Sequence, residues 1–237
     1  MFSRYNYLKH DGRGNRRGFI KNVFWLVKNK IKMHFEAVKR FLRKVTIDSR
    51  NKKKLKNCNP SILSMNCNGC IISHDLGLRF NSQFVNLWLS PKDFLEYLEH
   101  LDYYNSLPIQ FISSTENNPV GVIGGLTIHF THYSSEEEAA KKWDERKKRI
   151  IPDNLFVMMT DQEGCTHDDM VRFDNLPFQH KVIFTHLPHS DIRSSFYIKG
   201  FEDKGMVGQL NGWTGMFSLH KWYDQFDYVN WLNGRDK

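Results

Sequence analysis

The chain has 237 residues and a net charge of +8, enough for one sizeable domain, or a domain with an extension. The charge is segregated: residues 1–56 hold 18 of the 34 Lys/Arg and three of the 26 acids, so they carry +15 and the remainder carries −7. A basic nucleic-acid surface on the larger part loses its support, and no specific nucleic-acid partner is expected.

Residues 1–18 are rich in Arg, Asn and Gly, show no periodicity and are expected to be flexible. Then Ile20, Val23, Phe24, Val27, Ile31, Phe35, Val38, Phe41, Leu42 and Val45 recur at three- and four-residue steps. This spacing predicts an amphipathic helix over about residues 19–46, with Lys21, Lys28, Lys32, Lys39, Arg40, Arg43 and Lys44 on the opposite side. Such a helix needs a surface for its stripe. The domain itself, a second copy of the helix, or an anionic membrane would serve, and Lys stems beside an apolar stripe suit the last. Residues 49–57, with Lys52, Lys53 and Lys54, read as a linker. Residues 1–57 are thus a basic arm and residues 58–237 a single domain. No apolar run approaches the roughly 18–20 residues needed to span a bilayer, and residues 23–27 are too short for a secretory signal. The expectation is a cytoplasmic protein, peripheral at the inner face of the plasma membrane through residues 19–46, with Cys58, Cys67, Cys70 and Cys165 as reduced thiols.

From Pro60 onward strands and helices alternate. Strands are expected at 61–65, 84–89, 109–112, 126–131, 155–159 and 182–185. Ser90-Pro91 opens a helix to about Tyr104. Ser134 with Glu137 forms a capping box for a helix ending near Ile150, and Thr166 caps a short one. Residues 121–125 read as a turn, 196–199 as hairpin-like, and 220–232 as a final aromatic helix. This order predicts an α/β fold, a mostly parallel sheet flanked by helices and preceded by the basic helical arm.

Ligands of open α/β sheets gather beyond the C-terminal strand ends. After the first strand come Asn66, Cys67, Asn68, Gly69 and Cys70, then His74 and Asp75; after the 126–131 strand, which carries His129, comes His132. Asp161 and Glu163 follow the 155–159 strand, and Thr185, His186 and His189 the next. Amides of the first turn are candidates to cradle an anion or oxyanion. Cys67 at a helix start is a candidate nucleophile, against the plainer reading of a buried thiol at a tight junction. Cys67-x-x-Cys70-x-x-x-His74, with Cys165, also has zinc-like spacing, and the close pair fits thiol–disulfide exchange equally. A second C-x-x-C pair is missing, and no metal ligand set is assigned. Asp161 and Glu163 are candidates to bind a sugar hydroxyl or a cation, beside their ordinary capping and solvation roles.

The blocks 64–69, 74–78 (His74, Asp75, Leu76, Gly77, Leu78) and 80–82 (Phe80, Asn81, Ser82) resemble the bacterial DUF1919 family of exopolysaccharide and capsular-polysaccharide biosynthesis proteins. So do 86–104, 128–133, 135–149 with Trp143, 161–166 and 174–178. The resemblance spans roughly residues 60–185, and Cys70 departs from a more usual Gly or apolar residue. It implies an α/β fold and a place in surface-polysaccharide synthesis without a settled reaction. The Asn66-Cys67 turn is similar to that of another capsule-locus family proposed to bind coenzyme A. That similarity implies glycan O-acyl transfer from an acyl-CoA: Cys67, His74 and His132 would be catalytic. Asn66, Asn68, Gly69, Asn81, His129, Asp161, Glu163 and Thr185 would bind substrate, a glycan or glycolipid. The alternatives are a metal-dependent glycosyl- or phosphoryl-transferase using nucleotide or lipid-linked sugars, and a non-catalytic adaptor joining other polysaccharide-assembly proteins at the membrane.

Overall fold

The computed structural model describes residues 16–115 and 117–235, with side chains from Trp25 onward. The flexible segment expected over 1–18 lies almost wholly outside the described residues, as do the side chains of Ile20, Lys21, Val23 and Phe24. The chain divides into two units after Arg43.

The described part of the first unit is one helix, α1 (Arg16–Arg43), uninterrupted by Gly or Pro after Gly18. Val27, Ile31, Phe35, Val38, Phe41 and Leu42 of the stripe are exposed, as are Trp25, Leu26 and Met33. No helix among the described residues is long and apolar enough to cross a membrane.

The second unit starts with a π-helical turn, Lys44–Asp48, and α2 (Ser49–Lys54). The stretch read as a linker is therefore helical for most of its length. It is held to the end of the chain: the Lys56 N–H donates to Asn233 Oδ1 at 2.7 Å, and Asn57 Nδ2 to Leu232 O at 3.0 Å. Then follow β1 (Ser61–Ser64), α3 (Asn68–Leu76), α4 (Pro91–Glu99), α5 (Leu101–Ser106) and the strands β2 (Gln110–Ile112), β3 (Val120–Ile123) and β4 (Leu126–His129). After them come α6 (Glu136–Lys147), β5 (Leu155–Thr160), α7 (His167–Asn175), β6 (His180–Thr185), β7 (Ser195–Tyr197) and α8 (Tyr228–Leu232).

One sheet is wholly parallel, ordered β1-β5-β6-β7; the other is an antiparallel meander, β2-β3-β4. The α/β class holds, but the 126–131 strand belongs to the meander rather than the parallel sheet. The meander arises because Gly124 and Gly125, at φ +54° and +95°, make a two-residue turn of the kind that reverses a chain tightly. Three of the parallel strands, β1, β5 and β6, are buried on both faces, which explains their nearly continuous apolar sequences. Alternate residues serve two cores. Leu63, Val157, Met159 and Ile183 pack with Phe84, Phe94, Trp143 and Phe173. Ile62, Phe156, Met158, Val182 and Phe184 pack with Ile72, Tyr223, Tyr228 and Trp231. Each large apolar side chain taken out of water contributes about 1.5–3 kcal/mol.

Several expected elements differ. Residues 84–89 are buried but irregular, tied to the meander by one bridge in which Trp88 and His129 exchange backbone hydrogen bonds at 2.9 and 3.0 Å. Ser135, not Ser134, caps α6 by accepting from the Glu138 N–H; Ser134 instead binds the Glu138 carboxylate. Residues 196–199 are no hairpin, since β7 pairs parallel to β6 after nine residues. That short return is held by Asp174, whose Oδ1 accepts from the Ser194 N–H at 2.8 Å. The final aromatic segment is a 3-10 turn, Trp222–Gln225, then α8.

Candidate functional site

The site is built where β1 and β5 end side by side. Asn66 joins them: its Nδ2 lies 3.1 Å from both Thr160 Oγ1 and Gln162 Oε1, and its Oδ1 accepts from the Asn68 N–H at 3.2 Å. Gly69 lets α3 rest against β1, because a Cβ there would come within 2.8 Å of Ile62 Cγ2 and of Ser64 Cβ. The Gly69 N–H donates to Ser64 Oγ at 3.3 Å. The Asn68 and Gly69 amides, expected to be exposed for an anion, are therefore already engaged. Gln162 ties the loop after β5 to the C-terminal segment by donating to Val207 O at 2.9 Å and Gly208 O at 3.1 Å.

These elements enclose a cavity of about 310 Å³, in the size range of small-molecule sites, lined among others by Asn66, Cys67, Trp88, His132, Glu163 and Gln209. Three larger depressions, of about 600, 640 and 470 Å³, the last on α1, lie elsewhere and contain no cysteine. Volume alone favours them, but the chemistry favours the smaller cavity. Trp88 forms one wall, its ring stacked on His129 at 3.9 Å with the planes 4° apart.

Cys67 is half-buried at the start of α3, its Sγ 3.9 Å from both Leu87 O and Thr131 Oγ1. The largest influence on its thiol is a hydrogen bond with Cys70, which favours the thiolate. Burial opposes this, Thr131 and His132 add to it, and the Cys67 pKa falls to about 6. Cys70 is buried; its bond to Cys67 and its desolvation push its pKa far above the usual thiol range. The Cys70 Sγ lies 3.1 Å from Cys67 O and 3.6 Å from Asn86 Oδ1, and Asn86 is held at φ +61°. Cys165 differs: burial, then the charges of Asp169 and Asp161, drives its thiol up to about 12. Of these three cysteines, Cys67 is the one that lines the cavity and whose thiol is shifted toward the thiolate.

The expected site residues are gathered only in part. Asn66, Cys67, Asn68, His132 and Glu163 line the cavity. His74 does not: it lies in the last turn of α3, its side chain 81% exposed and 3.4 Å from Asp75 Oδ1. Asn81 is buried in a crevice with Gly69, Cys70 and Ser73. His129 stands behind Trp88. Thr185 is fully buried, and its Oγ1 donates to Leu187 O at 2.7 Å. Asp161 is a clamp: Oδ2 meets the His186 N–H at 2.7 Å and His186 Nδ1 at 2.6 Å, and Oδ1 accepts from the Val207 N–H at 2.7 Å. Nor does the zinc-like spacing assemble. Among the described residues, the groups of three or more His, Cys or acidic residues whose ligand atoms all come within 4.8 Å of one another are His167–His189–Asp191 and Glu96–Glu99–His100. Trp88, Thr131 and Gln162 are the contributors that the sequence did not single out.

The sequence is 50% identical over 184 residues to an uncharacterized protein of Haemophilus influenzae, covering 76% of this chain and 87% of that protein. The model of a domain of unknown function, DUF1919, matches residues 37–233, so the match starts inside α1 and reaches the C-terminal turn. Cys67, Trp88, His132, Gln162 and Val207 all fall within the matched region, and the chain belongs to the DUF1919 family.

Proposed function

We propose that the protein is a covalent group-transfer enzyme that moves an acyl group from a thioester donor such as an acyl-CoA to a hydroxyl, with Cys67 as nucleophile. The observation that carries this reading is one thiol, poised as a thiolate near neutral pH, facing a cavity of mixed polar and apolar lining beyond the ends of two parallel strands. In the first step the Cys67 thiolate attacks the donor carbonyl and the donor thiolate leaves, giving a thioester on Cys67. In the second, His132 takes the proton of the acceptor hydroxyl as its oxygen attacks that thioester, and the Cys67 thiolate is released. The Asn68 and Gly69 amides are engaged, so the side chain of Asn68, on the cavity wall, is the nearer candidate to steady the oxyanion.

The setting is the one that the family resemblance implies, with a surface glycan or glycolipid as acceptor. The exposed stripe of α1 supports a placement at an anionic membrane surface. A metal-dependent glycosyl or phosphoryl transfer is less well supported, because the Asp161 carboxylate is spent on His186 and Val207. The test is intact-mass analysis of the full chain after incubation with acetyl-CoA. The reading expects one acetyl group, absent in Cys67→Ala, and slower discharge to a glycan acceptor in His132→Ala. No adduct, and no thermal stabilisation by acetyl-CoA or CoA, overturns it.

A further inference from the structure

The sulfur left over by this chemistry is Cys70. A nucleophilic cysteine alone needs no second thiol, yet Cys70 sits one helical turn on, within the same hydrogen-bonding group. Residues three apart on a helix have Cα atoms about 5 Å apart, within the range a disulfide bridges. The two sulfurs are unlike in every respect that matters to exchange. Cys67 lines the cavity and is reachable; Cys70 is buried behind it, in contact with the Cys67 carbonyl and Asn86. An accessible first thiol followed by a covered second one, at a strand–helix junction beside a parallel sheet, is the layout that thiol–disulfide exchange requires.

We infer that Cys67 and Cys70 form a reversible dithiol–disulfide couple that reacts with small-molecule disulfides of the glutathione class through the cavity. The Cys67 thiolate attacks one sulfur of the disulfide, forming a mixed disulfide at Cys67 and releasing one thiolate. Cys70 then loses its proton and attacks the Cys67 sulfur, closing the Cys67–Cys70 bond and releasing the second thiolate. The Cys70 proton goes to one released thiolate, and the proton that Cys67 had already given to solvent goes to the other; two protein thiols are oxidised and one small disulfide is reduced. The couple goes beyond the acyl-transfer reading and does not depend on it. If both hold, oxidation removes the nucleophile, so that the transfer reaction runs only in the reduced protein.

The test uses the full chain with Cys58→Ala and Cys165→Ala, equilibrated with mixtures of reduced and oxidised glutathione, alkylated and measured by intact mass and peptide mapping. The expected result is the joint loss of both alkylatable thiols and a Cys67–Cys70 cross-linked peptide, reversed by reduced glutathione. Cys70→Ser or Cys70→Ala should stop at the first step, with one glutathionyl group on Cys67, while Cys67→Ser should take up none. Both thiols remaining alkylatable in excess oxidised glutathione overturns the couple, as does an adduct on Cys70 in Cys67→Ser. Acetyl transfer to Cys67 in the fully reduced protein, with Cys70 in place, reports on the acyl-transfer reading alone, so failure of one proposal is distinguishable from failure of the other.

Discussion

The state of Cys67 can be read directly from the rate at which it alkylates as pH is varied. With a pKa near 6, it is ionised at pH values where an ordinary thiol is protonated. At pH 6.5 about 75% of such a thiol is thiolate, against about 1% for an unperturbed thiol of pKa about 8.5. A more acidic thiolate is also a weaker nucleophile: a Brønsted slope of about 0.45 over that difference costs about 13-fold. The net expectation is reaction about 6-fold faster than an unperturbed peptide thiol at pH 6.5, and about 10-fold slower at pH 9, where both are ionised. Partial burial slows Cys67 at every pH without moving the midpoint or the reversal. The assay is pH-dependent iodoacetamide labelling of the folded chain, with Cys67 quantified by peptide mass. A midpoint above about pH 8 would refute the electrostatic account of the site. Cys70→Ala removes the largest stabilising partner and should move the midpoint upward, and further than His132→Ala does.

Gly69→Ala would drive a methyl into Ile62 and Ser64 of β1 and should cost about 2 kcal/mol, a fall in Tm of about 4–8 °C; an unchanged Tm would contradict the contact. Asp161→Asn places an amide among the His186 and Val207 donors and should lower stability to urea by about 2–4 kcal/mol. Burial works to raise the pKa of Asp75, but hydrogen bonds from Lys221, at 2.6 Å, and Tyr223 outweigh it and hold the carboxyl below its usual value. Because the folded value is depressed, this stabilisation is present above the unfolded pKa of about 3.9 and is lost as pH falls through the folded one. Lys221→Met should therefore bring acid unfolding to higher pH, followed by circular dichroism. Vesicle sedimentation should show the full chain pelleting with anionic but not neutral liposomes, and deletion of residues 1–43 should abolish it; equal binding to both would assign the α1 stripe to protein packing.

What was legible in the sequence was the part in which local signals and tertiary structure agree. The apolar runs of β1, β5 and β6 and the Thr166 cap of α7 carry their own chemistry, and Thr166 closes its capping box with Asp169. The Asn66–Gly69 turn announced itself because a tight strand–helix junction needs small and amide residues. The rest depends on distant partners. Residues 84–89 have a strand's composition, but their backbone groups reach the sheets only through Trp88, on the meander, and Leu89, whose N–H donates to Met65 O just past β1, so burial without a strand ladder was invisible locally. Nothing near Asp161 indicates that the donors 25 and 46 residues on would fill its carboxylate. His74 follows the critical turn closely, yet lies near the far end of α3, facing solvent. Trp88 reads as core from its neighbours, and only the stack on His129 turns it into a cavity wall.

The pairing of β1 with β5 has a consequence for the order in which the molecule is made. Ser61 pairs with Leu155, and among the described residues β1 has no other strand neighbour. At about 5–20 residues per second, a ribosome needs about 5–20 s to synthesise the stretch that separates them. Through that interval the first strand waits unpaired, and Thr160 and Gln162, the acceptors for the Asn66 amide, do not yet exist. The last wall waits longer, for Val207 and Gly208 to reach Gln162. Cys67 is among the first residues of the domain to be synthesised and among the last to be enclosed, so a nascent chain exposes its thiol before the surroundings that tame it have been built.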